Sequence, residues 1–372
     1  MSKLSQLYRR WATRGRIWRA GAAGAQIGFY ASTWMDEVWT RSTTFECKRR
    51  GLKVAVVVDG NPAEIDAEIV QSYRAAGIPV LAGEDAAAFG CPLVVSASTG
   101  SSVGRFAQAR RVHMPHSLVS LHMIYGPDSF DSFDDILAAG PHHLAEFLAL
   151  GRHRGLPDRR THKVGYGKLD LLLAAHDDSV GAGDGSLLLA PSWGPNNLLA
   201  AMPMDWIGHL LEAGTRIVLR PHPLLLTVHA DLMQSVRERF LGHPNFVLED
   251  PAIAGRSIHT ASALMTDYSG TALEFAALRR RPTVFVDVPP KVFNPDYPAL
   301  GIEPMEIAIR SAIGLVAAPT AEAVIGCVRQ ALADGPSWPE RIGAELPRFV
   351  FNPGRCAQTA ADVLVEMVGS KI

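Results

Sequence analysis

The sequence is poor in the features that mark several common protein classes. Its four cysteines include no Cys-x-x-Cys pair, so it carries neither a zinc-ribbon nor a thiol redox motif. It contains no Gly-x-x-x-x-Gly-Lys-Ser/Thr motif, which argues against a P-loop ATPase. Its thirteen histidines include no His-Glu-x-x-His arrangement. No metal site and no cofactor are therefore predicted.

Long hydrophobic runs are also absent. No apolar stretch reaches transmembrane length, and the N-terminus lacks the apolar block of a signal peptide. These absences predict a cytoplasmic protein. Peripheral association with the inner face of the plasma membrane stays open as an alternative, because the N-terminus is basic.

The formal net charge of −1 gives no indication of a nucleic-acid partner. Charge is nevertheless uneven, since six Lys and Arg residues lie between Lys3 and Arg19 and no acidic residue precedes Asp36. Aromatic and aliphatic residues alternate with these cations. Residues 1–20 are therefore interpreted either as a helix on an anionic membrane surface or as a basic arm, solvated or docked on its own domain.

Short apolar runs alternate with helical segments along the chain, which is typical of parallel βαβ units. The runs at Leu93–Ser96, Val164–Asp170 and Ala263–Thr266 are among those predicted to be strands. The segment 176–186 is rich in Asp, Gly and Ser and is the best linker candidate. A new alternation follows it. The pattern predicts an α/β protein with a basic N-terminal arm at 1–50, an α/β domain at 51–180 and a second one at 186–350.

The stretch from Met265 to Phe275 predicts a strand end, a polar turn and a helix start. Because backbone N–H groups of the Ser269-Gly270-Thr271 turn would point where the helix dipole is positive, the turn is a candidate phosphate site. Thr271 and Glu274 also fit a capping box, which needs no ligand. Glu274 is interpreted either as a ribose ligand or as a cap, and Asp267 as a residue that orients the turn.

A second polar strand end is predicted at Arg220-Pro221-His222-Pro223. The two prolines fix the backbone around the imidazole. His222 is predicted to donate to a phosphate oxygen or leaving group, with Arg220 supplying charge, and a solvated turn histidine is the alternative. Ser192 follows the first predicted strand of the second half and is a further substrate-binding candidate.

A general base is predicted in the first half, where eight of the thirteen histidines lie. His116 follows a predicted strand and Pro115, in a loop suited to meeting an acceptor hydroxyl. His113 and His122 remain competing candidates for the same role.

The combination of motifs resembles the CDP-glycerol glycerophosphotransferase family, which builds wall teichoic acids and related phosphate-linked polymers. The similarity runs from about Arg111 to the C-terminus. Its motifs are Arg220–Pro223, Thr266–Thr271 with Glu274-Phe275-Ala276, Arg281-Pro282, Ala139–His143, Val164–Asp170, Ala190–Trp193 and Phe351–Arg355. The histidine of the family's His-Gly pair corresponds here to His116, followed by Ser117.

The resemblance implies a GT-B fold, with two Rossmann-like parallel-sheet domains facing across a cleft. It implies an N-terminal acceptor domain, a C-terminal donor-nucleotide domain and a last helix, 351–372, that packs back toward the first domain. His222 would contact the donor phosphates, and Ser269, Gly270 and Thr271 would hold the pyrophosphate.

The implied activity is transfer of glycerol phosphate, or a related alcohol phosphate, from CDP-glycerol to an acceptor hydroxyl with release of CMP. The partners would be a CDP-activated donor and a lipid-linked or glycan acceptor, in synthesis of a cell-surface polysaccharide such as teichoic acid or capsule. A nucleotide-sugar glycosyltransferase or epimerase of the same fold is the first alternative. A non-catalytic nucleotide-binding module is the second.

Overall fold

A computed structural model describes residues 12–13, 15–17, 21–59, 66–177, 179, 181–249, 255–334 and 337–369. The described chain divides into two compact units. Unit 1 is formed from residues 1–117, 126–174 and 350–372, and unit 2 from residues 118–125 and 175–349. The chain therefore passes from one unit to the other four times.

Unit 1 is built on a parallel sheet with seven described strands. In chain order these are β1 (Ile27–Ala31), β2 (Val54–Val58), β3 (Val80–Ala82), β4 (Leu93–Ser96), β5 (Arg110–His113), β6 (Asp135–Ala138) and β7 (Arg160–Lys163). Their spatial order is β3-β2-β1-β4-β5-β6-β7. This is a doubly wound order that reverses direction between β1 and β4.

Unit 2 repeats this plan with six described strands. They are β8 (Leu187–Leu189), β9 (Ile217–Leu219), β10 (Phe246–Leu248), β11 (Ala263–Thr266), β12 (Thr283–Val286) and β13 (Gly314–Ala317). Their spatial order is β10-β9-β8-β11-β12-β13, and every pairing is parallel. The reversal of direction lies between β8 and β11.

The connections between strands carry the helices. The described α-helices are α1 (Arg41–Arg49), α2 (Ala67–Ala75), α3 (Gly83–Ala88), α4 (Leu121–Ile124), α5 (Pro141–His153), α6 (Gly167–Ala174), α7 (Leu198–Ala201), α8 (Asp205–Glu212), α9 (Pro223–Val228), α10 (Ala230–Phe240), α11 (Arg256–Thr260), α12 (Thr271–Arg279), α13 (Met305–Ala308), α14 (Arg310–Ile313), α15 (Ala321–Ala333), α16 (Trp338–Glu345) and α17 (Cys356–Gly369). Short 3₁₀ segments lie at Trp34–Trp39, Ser101–Arg105, Tyr297–Leu300 and Leu346–Arg348.

Each unit has its own apolar core. In unit 1, the buried residues of the central strands pack with Cys47 of α1 and with Cys356, Ala360 and Leu364 of α17. The last helix is thus a core element of unit 1. In unit 2, the strand residues pack with α8, α10 and α15, around the fully buried Trp206.

The first strand was not predicted from the sequence. All five residues of β1 are buried, and the strand pairs with both β2 and β4 at the centre of the sheet of unit 1. Together with α1, it lies inside the segment 1–50 that the sequence marked as a basic arm. The run Ile-Gly-Phe-Tyr-Ala contains one β-branched residue and follows a basic segment. Its sequence pattern therefore did not indicate a central strand.

The interpretation of 164–170 as a strand is wrong. The strand precedes it, as β7, and α6 begins at Gly167. β7 is the edge of its sheet and its side chains are partly or fully exposed, so it carries no apolar run. A search for buried apolar segments does not detect a polar edge strand of this kind.

Most of the basic stretch 3–19 lies outside the described residues, and both interpretations of residues 1–20 remain predictions. Within the part that is described, Arg16 donates through Nε to Asp85 Oδ1 at 2.7 Å. Across the described residues, none of the helices combines the length and apolar character that crossing a bilayer requires.

Candidate functional site

The polar residues predicted from the second half follow neighbouring strands of one sheet. Arg220 and His222 follow β9, Ser192 follows β8, and the turn Ser269–Thr271 follows β11. Because these parallel strands are adjacent in the order β9-β8-β11, their carboxyl ends meet at one sheet edge. Two strand spacings, about 10 Å, separate the first motif from the turn.

The turn after β11 leaves a helix start without a side-chain cap. Helix α12 begins at Thr271, and its N-cap is Gly270, which offers no capping side chain. The capping-box alternative for Thr271 and Glu274 is therefore wrong, since Thr271 lies inside the helix. Ser269 Oγ accepts the Thr271 amide at 3.3 Å. No hydrogen bond from the amides of Ser269 and Gly270 is present among the described residues. These groups and the helix dipole suit an anion.

Glu274 lies in the first turn of α12 and is only 5% exposed. A role for it as a ribose ligand stays a prediction.

Asp267 ties two strand ends together. Its Oδ1 accepts the amides of Ser192 at 2.9 Å and Tyr268 at 2.7 Å, and its Oδ2 accepts the amide of Leu198 at 2.8 Å. Burial raises the pKa of this carboxyl, while the three backbone donors act against that rise. Asp267 thereby fixes the loop after β8 against the turn after β11. Direct substrate contacts by Asp267 and Ser192, which is also buried, stay predictions.

Arg220 presents an incompletely satisfied guanidinium group. Its Nε lies 3.8 Å from Glu249 Oε2, and Glu249 also accepts from Ser257 through both oxygens. Arg220 Nη1 is buried and has no hydrogen-bond partner among the described residues. Since buried polar groups are nearly always paired, a guanidinium nitrogen in this state suits an anionic ligand.

His222 is held by the helix that it begins. It is the N-cap of α9, where its Nδ1 accepts the Leu224 amide at 3.1 Å, and Pro223 occupies the first helical position. An accepting Nδ1 carries no proton, so in the neutral ring the proton is on Nε2. In the neutral ring, Nε2 is therefore the N–H donor.

Aromatic residues and a lysine complete the edge. The ring of Trp193, which follows β8, lies 6.2 Å from that of His222 and stacks on Phe293 at 5.3 Å. Lys291, which follows β12, has its Nζ 4.1 Å from the centre of the Trp193 ring. The sequence did not single out Lys291. The sequence feature that could have indicated Lys291 is its position shortly after a buried strand, at the edge where α/β sheets bind ligands.

His116 lies in unit 1, after β5, and is partly exposed. Its Nδ1 donates to Ala97 O at 2.7 Å, so the lone pair of the neutral ring is on Nε2. Burial lowers the pKa of His116, although the Ala97 carbonyl and the charge of Asp36 act in the opposite direction. A neutral imidazole in this tautomer is the form that a general base requires.

The backbone of His116 is also fixed. Tyr166 donates its hydroxyl to His116 O at 3.0 Å and accepts the indole N–H of Trp39 at 3.0 Å. The competing histidines are more deeply enclosed: His113 is 1% exposed and His122 is fully buried, with Nε2 donating to Ile302 O at 2.9 Å. His116 is thus the most exposed of the three, and its role as the base stays a prediction.

No group of three or more His, Cys, Asp or Glu residues in the described part of the chain is arranged to hold a metal ion.

No protein-family model matches the sequence, and no curated protein sequence matches it. Solved structures do match. The wall teichoic acid polymerase TagF aligns over 100% of both chains with a TM-score of 0.61 and 13% identity, and a variant of it has been soaked with CDPG. A putative UDP-N-acetylglucosamine 2-epimerase from Listeria monocytogenes aligns over 94% of this chain and 98% of its own, with a TM-score of 0.63 and 11% identity.

A third match is the UDP-GlcNAc 2-epimerase of Methanocaldococcus jannaschii, solved with UDP-GlcNAc and UDP. It aligns over 92% of this chain and 99% of its own, with a TM-score of 0.60 and 12% identity. The fold is of the GT-B type. Identities this low show the fold alone, and they do not separate the polymerase from the epimerases. The expected fold class, two Rossmann-like parallel-sheet domains, is confirmed.

Proposed function

We propose that this protein is a transferase that moves glycerol phosphate, or a related alcohol phosphate, from CDP-glycerol to an acceptor hydroxyl and releases CMP. The acceptor would be a lipid-linked or glycan hydroxyl in the synthesis of a phosphate-linked cell-surface polymer. The motif resemblance supports this choice of donor, and the likeness to TagF agrees with it at the level of the fold.

One observation carries the proposal: groups that suit an anion follow adjacent strands at one edge of the sheet in unit 2. They are Nη1 of Arg220, which has no hydrogen-bond partner among the described residues, the imidazole of His222, and the amides of Ser269 and Gly270 at the start of α12. A guanidinium, an imidazole N–H and a helix N-terminus all bind phosphate oxygens. A diphosphate is the ligand that suits this set of donors.

The reaction would proceed by displacement at the phosphorus that bears glycerol. His116 Nε2 takes the proton of the acceptor hydroxyl, and the acceptor oxygen forms the new P–O bond. The bond from that phosphorus to the bridging oxygen breaks, and CMP leaves with the electron pair. Arg220, His222 and the turn stabilise the charge that grows on CMP through donors already in place.

A nucleotide-sugar transferase or epimerase is the second candidate, because the structural matches include UDP-N-acetylglucosamine 2-epimerases. The same donors would hold the diphosphate of a UDP-sugar. The difference lies in the bond that breaks: a P–O bond releases CMP, whereas a C–O bond releases UDP.

The released nucleotide therefore tests the proposal. The full-length protein is incubated with CDP-glycerol, CDP-ribitol or UDP-GlcNAc, with and without a glycerol-phosphate-primed acceptor, and the nucleotides are separated by ion-exchange chromatography. We expect acceptor-dependent CMP from a CDP-alcohol. UDP release or epimerised UDP-sugar would identify the second candidate. Tight CDP-glycerol binding with no product from any acceptor would instead identify a non-catalytic binding module.

A further inference from the structure

A pocket of about 140 Å³ opens in unit 2 beside the turn after β11. Its walls come from the loop after β8, from Tyr268 and from the segment after β12, which contributes Lys291 and Phe293. The donors assigned to the diphosphate do not include any residue of the β12 segment. Since β12 is adjacent to β11, this pocket adjoins the proposed diphosphate site at a distance of about one strand spacing, roughly 5 Å.

Lys291 is the only cationic side chain of this pocket lining. Its Nζ lies over the rings of Trp193 at 4.1 Å and Phe293 at 5.3 Å. Among the described residues it makes no ion pair and no hydrogen bond. Gly194 leaves room for the stem of the lysine: a Cβ at that position would lie 3.4 Å from both Cγ and Cδ of Lys291. The ammonium group is thus positioned by packing, while its hydrogen-bonding capacity is unused.

The charges around this ammonium do not neutralise it. Burial lowers the pKa of Lys291 to about 8, against the opposing charges of Asp267 and Glu306. Both carboxylates are engaged elsewhere, Asp267 by three backbone amides and Glu306 by the amide and hydroxyl of Ser120. An anionic ligand would supply the counter-charge that this group lacks.

Two further titratable or charged groups lie beside the aromatic residues of the pocket. The ring centres of His222 and Trp193 are 6.2 Å apart. Arg310 covers the ring of Tyr268, with its Cζ 3.9 Å from the ring centre. Neither is an acid, so neither offers Lys291 a counter-ion.

We propose that this pocket is a phosphate subsite in which Lys291 binds a phosphate group separate from the nucleotide's own α-phosphate. Lysine acts as a compact point charge with three donors, which suits a phosphate oxygen. A nucleobase does not suit the site, because Lys291 already covers the face of Trp193 on which a base would stack. The phosphate belongs either to the transferred end of the donor or to a phosphate-bearing acceptor. That choice of source rests on the proposed function, whereas phosphate binding itself does not.

The test is calorimetric titration of the full-length protein and of the variants Lys291→Ala and Lys291→Arg. Lys53→Ala, which removes an exposed lysine from unit 1, is the matched control. The probes are inorganic phosphate, CMP, CDP-glycerol, and sn-glycerol 3-phosphate added with saturating CMP. Thermal unfolding of each variant establishes that the fold is intact. Because a charge-assisted contact is removed, we expect Lys291→Ala to lower the affinity for at least one phosphate probe about tenfold or more. The affinity for CMP should stay unchanged.

The affected probe identifies the source of the phosphate. Weakened CDP-glycerol binding assigns the subsite to the donor, and weakened sn-glycerol 3-phosphate binding assigns it to an acceptor. Lys291→Arg should retain most of the affinity, and Lys53→Ala all of it. In the wild type, affinity for the affected probe should fall between pH 7 and pH 9 as the ammonium deprotonates, and this fall should be absent from Lys291→Ala.

The inference is overturned if Lys291→Ala leaves the affinities for all phosphate probes unchanged, even where CDP-glycerol binds the wild type well. The two proposals can also fail separately. If the wild type does not bind CDP-glycerol but binds inorganic phosphate in a Lys291-dependent way, the donor assignment fails and the phosphate subsite stands.

Discussion

His222 Nδ1 accepts the backbone amide of Leu224 at 3.1 Å, so the histidine caps a helix with one ring nitrogen and presents the other as a donor. A single residue thereby determines both where α9 begins and which of its own ring nitrogens carries the proton in the neutral form.

Replacing His222 by Asn separates these two roles. An Asn side chain caps helices well, but it does not extend to where Nε2 lies. We expect the free energy of unfolding of His222→Asn to lie within about 0.5 kcal/mol of the wild-type value. Its kcat should fall at least about 10²-fold. His222→Ala should lose the same activity and in addition about 1 kcal/mol of stability. Turnover and urea denaturation measure the two effects. Full activity in His222→Asn would remove this histidine from the mechanism.

Asp267→Asn should destabilise unit 2. The three backbone amides that now donate to two carboxylate oxygens would meet a side chain with one acceptor and one N–H₂ group. Leaving a buried donor unsatisfied costs about 1–3 kcal/mol, and we expect a loss of that size in urea denaturation. Asp158→Asn, on the exposed surface of unit 1, serves as the control. Equal stabilities of Asp267→Asn and this control would show that the carboxylate does not tie the two loops together.

The free energy of unfolding should fall as the pH is lowered below about 6.5. Burial lowers the pKa of both His113 and His116, so the unfolded chain binds protons that the native state does not. Stability therefore rises with pH up to the unfolded pKa and is lost on acidification. A single such histidine contributes a slope of up to about 1.4 kcal/mol per pH unit.

His113→Leu should reduce this slope, because the ring lies against Phe130 and Phe133 and leucine keeps the site apolar. Urea denaturation at pH 5, 6 and 7 measures it. His153→Leu, which replaces an exposed histidine of the same unit, should leave the slope as in the wild type. Identical slopes in both variants would contradict the assignment.

Tyr166→Phe should displace His116 and so lower the rate, although Tyr166 is not proposed to contact the substrate. The variant loses the hydroxyl that links Trp39 Nε1 to His116 O. We expect kcat to fall about tenfold with little change in KM, since a displaced base lowers the rate more than it lowers binding. Trp39→Phe breaks the other half of the link, so the double variant should lose no more than the larger single loss. Additive losses would show that the two residues act independently of His116.

Much of the architecture could be predicted because a parallel sheet buries its strands on both faces. The runs at Leu93–Ser96 and Ala263–Thr266 are fully buried, and their observed bounds are those that the apolar pattern predicts. The edge strand β7 escaped prediction for the opposite reason. It pairs with β6 alone among the described strands, and Arg160–Lys163 is polar throughout.

Some residues of the candidate site could likewise be predicted from the sequence, and others could not. His222 and Ser269–Thr271 were found because their chemistry depends on neighbours in sequence, namely prolines and a helix start. Lys291 was missed, since its significance comes from the ring of Trp193, almost a hundred positions earlier. The link from Trp39 to Tyr166 spans 127 residues and has no sequence signature. Local motifs point to the candidate donors, and tertiary packing places further residues beside them.

The place of α17 in the core of unit 1 has a consequence for synthesis of the chain. Residues 175–349 leave the ribosome before α17 exists, so the second sheet can close while the first still exposes the apolar face of α1 that α17 covers. Translation must therefore pass Gly369 before the core of unit 1 can be completed. A premature stop after Phe349 would release a chain whose unit 1 stays open and prone to aggregation.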